Sequence, residues 1–140
     1  MSNCRVLCLD YGQKRIGVAV SDPLGMMALP QNYVPNNPGL PKALRQLIGE
    51  FNIGKIVLGL PLNLQKQETE SSRKVRAFAD RVLGKFGLEI VYQDERFSTT
   101  AVERELIAAD LSRQKRKEVI DSQAAAFILQ GYLDKLKSSL

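Results

Sequence analysis

Two short apolar runs near the start of the chain constrain its fold more than any other feature. The first run covers residues 5–10, where four consecutive apolar residues stand between Arg5 and Asp10, and a second apolar run covers residues 16–20. Each run has the length and composition of a strand buried on both faces of a sheet. The turn at residues 10–14 is so short that the two strands can pair only in the antiparallel sense. The sequence therefore predicts that the sheet begins with a β-hairpin.

The pattern that follows predicts how the sheet is completed. A third, weaker strand is predicted over residues 27–34, and Pro30 indicates that this strand is either an edge strand or bulged, because proline lacks a backbone N–H. The chain then alternates between helical and strand periodicity, which predicts later strands parallel to the first and joined by right-handed crossovers. The expected elements are a helix at 40–51, a strand at 55–59, a helix at 68–86, a strand at 88–93 and helices at 98–109 and 118–136.

We expect one α/β domain over residues 1–140. Its five-stranded mixed sheet consists of a three-strand antiparallel meander and two parallel strands flanked by helices, an architecture of the ribonuclease H type. A length of 140 residues is typical of a single domain that needs no disulfide or structural metal.

Composition limits the chemistry that this domain can perform. The chain contains no histidine, which excludes Ser-His-Asp and Cys-His catalysis and zinc sites built on imidazole. The formal net charge of +5 points to a polyanionic partner. No apolar stretch approaches the roughly 20 residues of a membrane span, and no signal peptide is recognisable. We expect a cytoplasmic protein with no membrane partner.

Carboxylates are the strongest candidates for catalysis. Asp10 ends the first strand, although an aspartate there also serves as an ordinary turn former. Asp94 and Glu95 follow the last strand, and only one of them should join Asp10 because successive strand residues point to opposite faces. Two or three converging carboxylates without histidine suit Mg²⁺ or Mn²⁺.

The last helix carries another acid, Asp121, on its inward arc. A carboxylate buried there is costly unless a cation meets it. A metal ion is one such cation, and an ion pair with a buried arginine or a capping role in the first turn are the alternatives. The inward arc is predicted to comprise Ile120, Ala124, Ala125, Phe127, Ile128 and Tyr132.

A basic segment precedes this helix and is predicted to form a loop over residues 110–117. Its cations can hold phosphates beside an acidic metal site, giving affinity that is sensitive to salt and independent of sequence. A solvated charge run is the ordinary alternative. The candidate phosphate contacts are Arg113, Lys115, Arg116 and Lys117, with Lys14 and Arg15 beside the first turn and Arg73, Lys74 and Arg76 as an extension.

These motifs together resemble the YqgF family, also called RuvX, of Holliday-junction resolvases and pre-16S ribosomal RNA nucleases. The resemblance spans essentially the whole chain. It is carried by Leu9-Asp10-Tyr11-Gly12-Gln13-Lys14-Arg15-Ile16-Gly17-Val18-Ala19-Val20-Ser21-Asp22-Pro23, Gly59-Leu60-Pro61-Leu62-Asn63, Asp94-Glu95-Arg96-Phe97-Ser98-Thr99 and Ile120-Asp121-Ser122-Gln123-Ala124-Ala125 with Ile128-Leu129-Gln130.

The resemblance implies a ribonuclease H-like nuclease whose metal-binding acids are Asp10, one acid of the Asp94-Glu95 pair and Asp121. We take Glu95 as that acid and Arg96 as a substrate contact. One departure is Leu64-Gln65-Lys66, where the family often has Met-Asp-Gly, and it leaves the substrate contacts of that loop open.

Several functions fit these features. The first is a metal-dependent endonuclease that matures the 5′ end of 16S rRNA, with pre-rRNA and ribosomal particles as partners. The second is a resolvase of four-way junction DNA, which needs two active sites and hence a dimer; we expect a monomer or a weak homodimer. A relative of the actin and sugar-kinase fold would need a second domain that 140 residues do not supply. A non-catalytic RNA-binding module is the remaining alternative.

Overall fold

The computed structural model describes residues 4–63, 65, 67–94 and 113–138, with the backbone alone for residues 113–121 and 138. The order of the described elements follows the predicted alternation of strands and helices. They are β1 (Arg5–Asp10), β2 (Arg15–Ser21), β3 (Ala28–Pro35), α1 (Leu40–Glu50), β4 (Ile53–Leu60), α2 (Glu70–Arg81), a 3-10 turn (Leu83–Phe86), β5 (Glu89–Asp94) and α3 (Arg113–Ser138).

The five strands form one mixed sheet in the order β3-β2-β1-β4-β5. β1 and β3 pair with β2 in the antiparallel sense, whereas β4 lies parallel to β1 and to β5. This topology confirms the predicted meander and parallel pair. β3 is an edge strand, as Pro30 indicated, because an edge strand has no partner on one side and can therefore include a residue without a backbone N–H.

The sheet separates two apolar layers, and alternation along the strands decides which layer each side chain joins. On β1, Leu7 and Leu9 pack with α1 and α2, whereas Cys8 packs with α3. The first layer also contains Phe78 of α2, and the second contains Ala125 of α3. Any strand residue can therefore be assigned to the α1/α2 face or the α3 face by its position.

The helix predicted over residues 68–86 is divided into two parts. Thr69 begins α2 through a capping box: its hydroxyl accepts from the Ser72 N–H at 3.1 Å, and the Ser72 hydroxyl accepts from the Thr69 N–H at 2.7 Å. The 3-10 turn then ends at Gly87, whose φ of 70° is left-handed. Such a conformation suits glycine and stops a helix, which the apolar spacing alone could not reveal.

The basic segment and the last helix also differ from expectation. The described part of the segment, from Arg113, belongs to α3 rather than to a loop. Arginine, lysine and glutamine are good helix formers, so this run continues the helix instead of interrupting it. Phe127, predicted on the inward arc, is 39% exposed, because it lies about 200° around the helix from buried Ala125.

Two remaining predictions concern the helix expected over residues 98–109 and the absence of a membrane-spanning segment. The helix expected over residues 98–109 lies outside the described residues. Within the part of the chain that is described, no helix is both long and apolar enough to cross a bilayer.

Candidate active site

Asp10 lies at the carboxyl end of the central strand, as predicted. It pairs with Gly17 of β2, and the preceding Leu9 pairs with Leu58 of β4. Because Asp10 is two residues beyond Cys8, it lies on the α3 face, and it is half-buried. A carboxylate in this position stands at the end of the sheet where parallel strands β1 and β4 both finish.

The turn that follows Asp10 depends on a glycine. A Cβ on Gly12 would overlap the carbonyl oxygen of Arg15. The Gly12 carbonyl also accepts a 2.8 Å hydrogen bond from the side chain of Asn36, and the Asn36 N–H donates to the Lys14 carbonyl at 2.9 Å. These contacts tie the turn to the end of β3 and bring the backbone close to Gly12, where only a residue without a side chain fits.

Asp94 does not join Asp10. It ends β5 opposite Leu60, and Leu60 packs in the layer formed by α1 and α2. Paired residues of neighbouring strands share a face, so Asp94 lies on the opposite face of the sheet from Asp10. Glu95 and Arg96, the other predicted site residues of this segment, lie outside the described residues.

The backbone of Asp121 lies well inside α3. The helix begins at Arg113, eight residues earlier, so Asp121 is not in the first turn and a capping role is excluded. The next residue, Ser122, donates a hydrogen bond to the carbonyl oxygen of Gln31 on β3. Register then connects Gln31 to Val18 and Val18 to Leu9, so this part of α3 stands level with the end of β1.

The predicted basic contacts divide into three groups. Arg15, at the start of β2, is half-buried and its guanidinium lies 5.1 Å from the ring centroid of Tyr33. Lys14 is exposed in the turn. The side chains of Arg113, Lys115, Arg116 and Lys117 are outside the described set, although their backbone leads into Asp121 on the same helix.

Arg76 does not extend this basic track, contrary to the prediction. It belongs to α2, which packs on the opposite face of the sheet from Asp10. Its guanidinium makes two hydrogen bonds to Glu68, of 2.8 and 3.1 Å. The hydrogen bond from Arg76, followed by one from Ser72, lowers the pKa of Glu68. Arg73 and Lys74 lie on the same helix and are likewise removed from the Asp10 face.

A groove that sequence reasoning missed opens between β3 and α3. Its volume is about 640 Å³. Its walls are formed by prolines, residues with amide side chains, a serine and a tyrosine. A sequence signal existed, because two amides and an aromatic residue are bracketed by prolines in a strand otherwise expected to be a plain edge. The described lining residues are Pro30, Gln31, Asn32, Tyr33, Pro35, Ser122 and Gln123.

The Asp10 carboxylate is the candidate metal ligand that the structure describes at this end of the sheet. Among the described side chains, no three acidic, cysteine or histidine residues lie close enough together to hold a metal ion. Of the predicted ligands, only the Asp10 side chain is described, since Glu95 and the Asp121 side chain are not. An aspartate at a strand end in a chain without histidine fits a hard divalent cation such as Mg²⁺ or Mn²⁺.

Comparison with known proteins identifies the family. The family model described as "RuvX: Holliday junction resolvase" matches residues 4–135. The chain belongs to the RuvX family. This membership confirms the resemblance drawn from the four motifs and supports the prediction that this RuvX protein is a hydrolase of the endonuclease class.

Curated relatives of this RuvX chain carry the name "Putative pre-16S rRNA nuclease". The one from Desulforamulus reducens is 46% identical over 133 residues, covering 93% of this chain and 96% of its own. The one from Streptococcus sanguinis is 43% identical and covers 94% of this chain and 98% of its own. The similarity therefore extends over nearly the full length of both proteins.

Solved structures similar to this RuvX chain confirm the ribonuclease H-like fold. T. thermophilus RuvC in complex with a Holliday junction substrate has a TM-score of 0.58 at 13% identity, covering 97% of each chain. The Fowlpox virus resolvase bound to Holliday junction DNA has a TM-score of 0.54 at 14% identity, covering 94% of this chain and 98% of that one.

Proposed function

We propose that this protein is a divalent-metal-dependent endonuclease that cleaves structured RNA during maturation of the 5′ end of 16S rRNA. The observation that carries the proposal is the position of Asp10 at the end of the central strand, on the face covered by α3. Relatives more than 40% identical over nearly the whole chain are named for this activity. Pre-rRNA in ribosomal particles is the proposed substrate, and the cytoplasm is its proposed location.

The proposed metal ligands are Asp10, Glu95 and Asp121. Asp94 lies on the face opposite Asp10, and alternation along a strand makes the following residue, Glu95, the better candidate. Position 121 follows the helical spacing of Ala125 and Ile128, both buried against the sheet. The proposed ligands are therefore the last residue of the central strand, the residue that follows β5 in the sequence and a residue of α3.

The chain's own groups have defined tasks in this reaction. When bound, Mg²⁺ or Mn²⁺ lowers the pKa of water and offsets charge on the scissile phosphate. Asp10 ends a strand that is hydrogen-bonded to β2 on one side and to β4 on the other, and this pairing holds its backbone in place. With no histidine in the chain, proton transfer falls to carboxylates or solvent. Neighbouring phosphates are held by Lys14, Arg15 and Arg96 and by the basic turn of α3, which comprises residues 113–117.

A second candidate is resolution of four-way DNA junctions by a dimer. The description of the family model and the fold shared with junction resolvases favour it. The same acids and metal would perform the chemistry, since hydrolysis of DNA and RNA phosphodiesters makes the same demands on a metal site.

Cleavage of matched substrates tests these functions. A pre-16S RNA 5′ fragment, a DNA duplex and a four-way DNA junction are each incubated with protein and Mg²⁺, Mn²⁺ or EDTA. We expect metal-dependent cleavage of the RNA that is lost in Asp10→Asn. Cleavage of the junction alone would select the resolvase. Binding of RNA without cleavage under any metal condition would overturn the proposed nuclease function. The protein would then be a non-catalytic RNA-binding module.

A further inference from the structure

The groove between β3 and α3 has the chemistry of a nucleotide subsite. Its volume of about 640 Å³ lies within the range of about 300–1,000 Å³ that is usual for small-ligand sites. Amide groups of Asn32 and Gln123 and the hydroxyl-bearing residue Ser122 line it beside the Tyr33 ring. An aromatic face with several hydrogen-bonding groups nearby is the combination by which proteins hold an unstacked base.

Tyr33 is paired with a cation within this arrangement. The Arg15 guanidinium lies 5.1 Å from the ring centroid, a cation–π geometry. Aromatic rings and guanidinium planes both stack on nucleobases, and a guanidinium also pairs with phosphate. The pair therefore offers a stacking surface and a positive charge at one place.

A β-bulge at Tyr33 lies two strands away from Asp10. Ile16 pairs with Val34 and Val18 pairs with Gln31, so Gly17 alone faces both Asn32 and Tyr33. On its other side Gly17 pairs with Asp10. Two strand spacings, about 10 Å in all, therefore separate the Asp10 backbone from the bulge. Bulges often re-aim a side chain beside an active site.

The Tyr33 ring also lies on the same face as Asp10. Val34 packs in the α1/α2 layer, so its neighbour Tyr33 is directed to the α3 face. Ser122 of α3 closes the far side of the groove through its hydrogen bond to Gln31. The groove and the acid thus share one face and one end of the sheet.

We propose that this groove holds an unpaired nucleotide of the substrate next to the cleavage site, with its base stacked on the Tyr33–Arg15 pair. The inference rests on the proposed nuclease function and specifies its substrate as nucleic acid with a single-stranded flank. A paired base does not fit this role because its faces are already stacked within the duplex. Stacking tolerates any base, so the subsite selects strandedness rather than sequence.

A unique fluorophore tests the subsite directly, because the chain contains no tryptophan. Tyr33→Trp is titrated with an RNA hairpin carrying a five-nucleotide unpaired flank and with the same hairpin without the flank. Tyr92→Trp is the matched control, since the Arg76 guanidinium lies 4.6 Å from the Tyr92 ring in a similar pair on the opposite face. We expect saturable quenching of the Tyr33→Trp signal by the flanked hairpin only.

Binding by anisotropy provides the second measurement and avoids dependence on the tryptophan variant. In the Asp10→Asn background, Tyr33→Phe should retain affinity for the flanked hairpin. Tyr33→Leu should weaken it by about 5- to 150-fold, the effect of losing one base–aromatic stack, and leave binding of the blunt hairpin nearly unchanged.

The results separate this inference from the proposed function. Equal affinity of the Phe and Leu variants for the flanked hairpin, or equal quenching at positions 33 and 92, would overturn the subsite. The nuclease function would stand without the subsite if the wild type still cleaves its substrate with metal and Asp10→Asn does not. Failure of the wild type to cleave any substrate would instead overturn the proposed function.

Discussion

Asp10 lies directly opposite Gly17 in the register of β1 and β2. The carboxylate therefore has a cross-strand neighbour with no side chain, on the face that α3 covers. Larger residues fill the equivalent positions deeper in the sheet, where Cys8 pairs with Ala19 in the apolar layer beneath α3. The absence of a side chain at Gly17 leaves the outer end of this face for polar chemistry.

Asp10→Asn should reduce cleavage by at least about 10- to 100-fold. That is the usual cost of losing a residue that only orients a metal ligand, and losing the ligand itself should cost no less. The change keeps the shape of the side chain and removes its charge, so the protein should remain folded and bind substrate. Steady-state cleavage and anisotropy measure the two effects. Asp80→Asn removes the same charge from an exposed site on α2 and should leave both unchanged. Full activity of Asp10→Asn would exclude Asp10 from the mechanism.

Replacing Arg113, Lys115, Arg116 and Lys117 together with glutamine should weaken RNA binding and flatten its dependence on salt. Each lost phosphate contact should reduce the slope of log K against log salt by roughly 0.7–0.9. Glutamine is chosen because these positions lie in α3 and it is a good helix former.

The matched control for this test neutralises four exposed cations on the other side of the sheet: Arg73, Lys74, Arg81 and Lys85. It changes the net charge equally, so it reports the effect of overall charge alone. Identical slopes for the two quadruple variants would show that the basic turn of α3 makes no specific phosphate contacts.

The Glu68–Arg76 pair should make stability depend on acid pH. Arg76 lowers the pKa of Glu68 in the folded protein. The stabilisation is therefore present above the unfolded value of about 4.3 and is lost as pH falls through the lowered folded pKa. Urea unfolding should show that Glu68→Gln is less stable than wild type at pH 7 and that the difference shrinks toward pH 3. A double-mutant cycle with Arg76→Gln isolates the pair, and a coupling independent of pH would contradict this account.

Phe78→Ala should lower the free energy of unfolding by about 3–5 kcal/mol, the usual effect of truncating a buried phenylalanine. Phe78 is 1% exposed, and its ring centroid lies 4.9 Å from that of Tyr11, the residue after Asp10. Phe127→Ala serves as the comparison, because that side chain is 39% exposed. Its removal should lower the free energy of unfolding much less. Chemical denaturation measures both variants, and equal losses would mean that the two rings are buried alike.

The order of elements, the mixed sheet and the strand end at Asp10 were determined by the sequence alone. These features depend on local signals: apolar periodicity, the short turn at Gly12 and the edge proline Pro30. The spacing of apolar residues is visible within a few residues of sequence, so it predicts helices and strands without knowledge of their neighbours in space. The family resemblance likewise depends on the sequence alone, because each of its four motifs is a short run of specific residues.

The tertiary structure decided the relations that depend on register and on which face a residue occupies. It placed Asp94 opposite Leu60 and so away from Asp10, and it engaged Arg76 with Glu68 on the other layer. It also formed the groove between β3 and α3, at a one-residue bulge that shifts the strand pairing without altering the apolar pattern. Pairing between residues distant in the chain is set by packing of the whole sheet, and local periodicity carries no record of it.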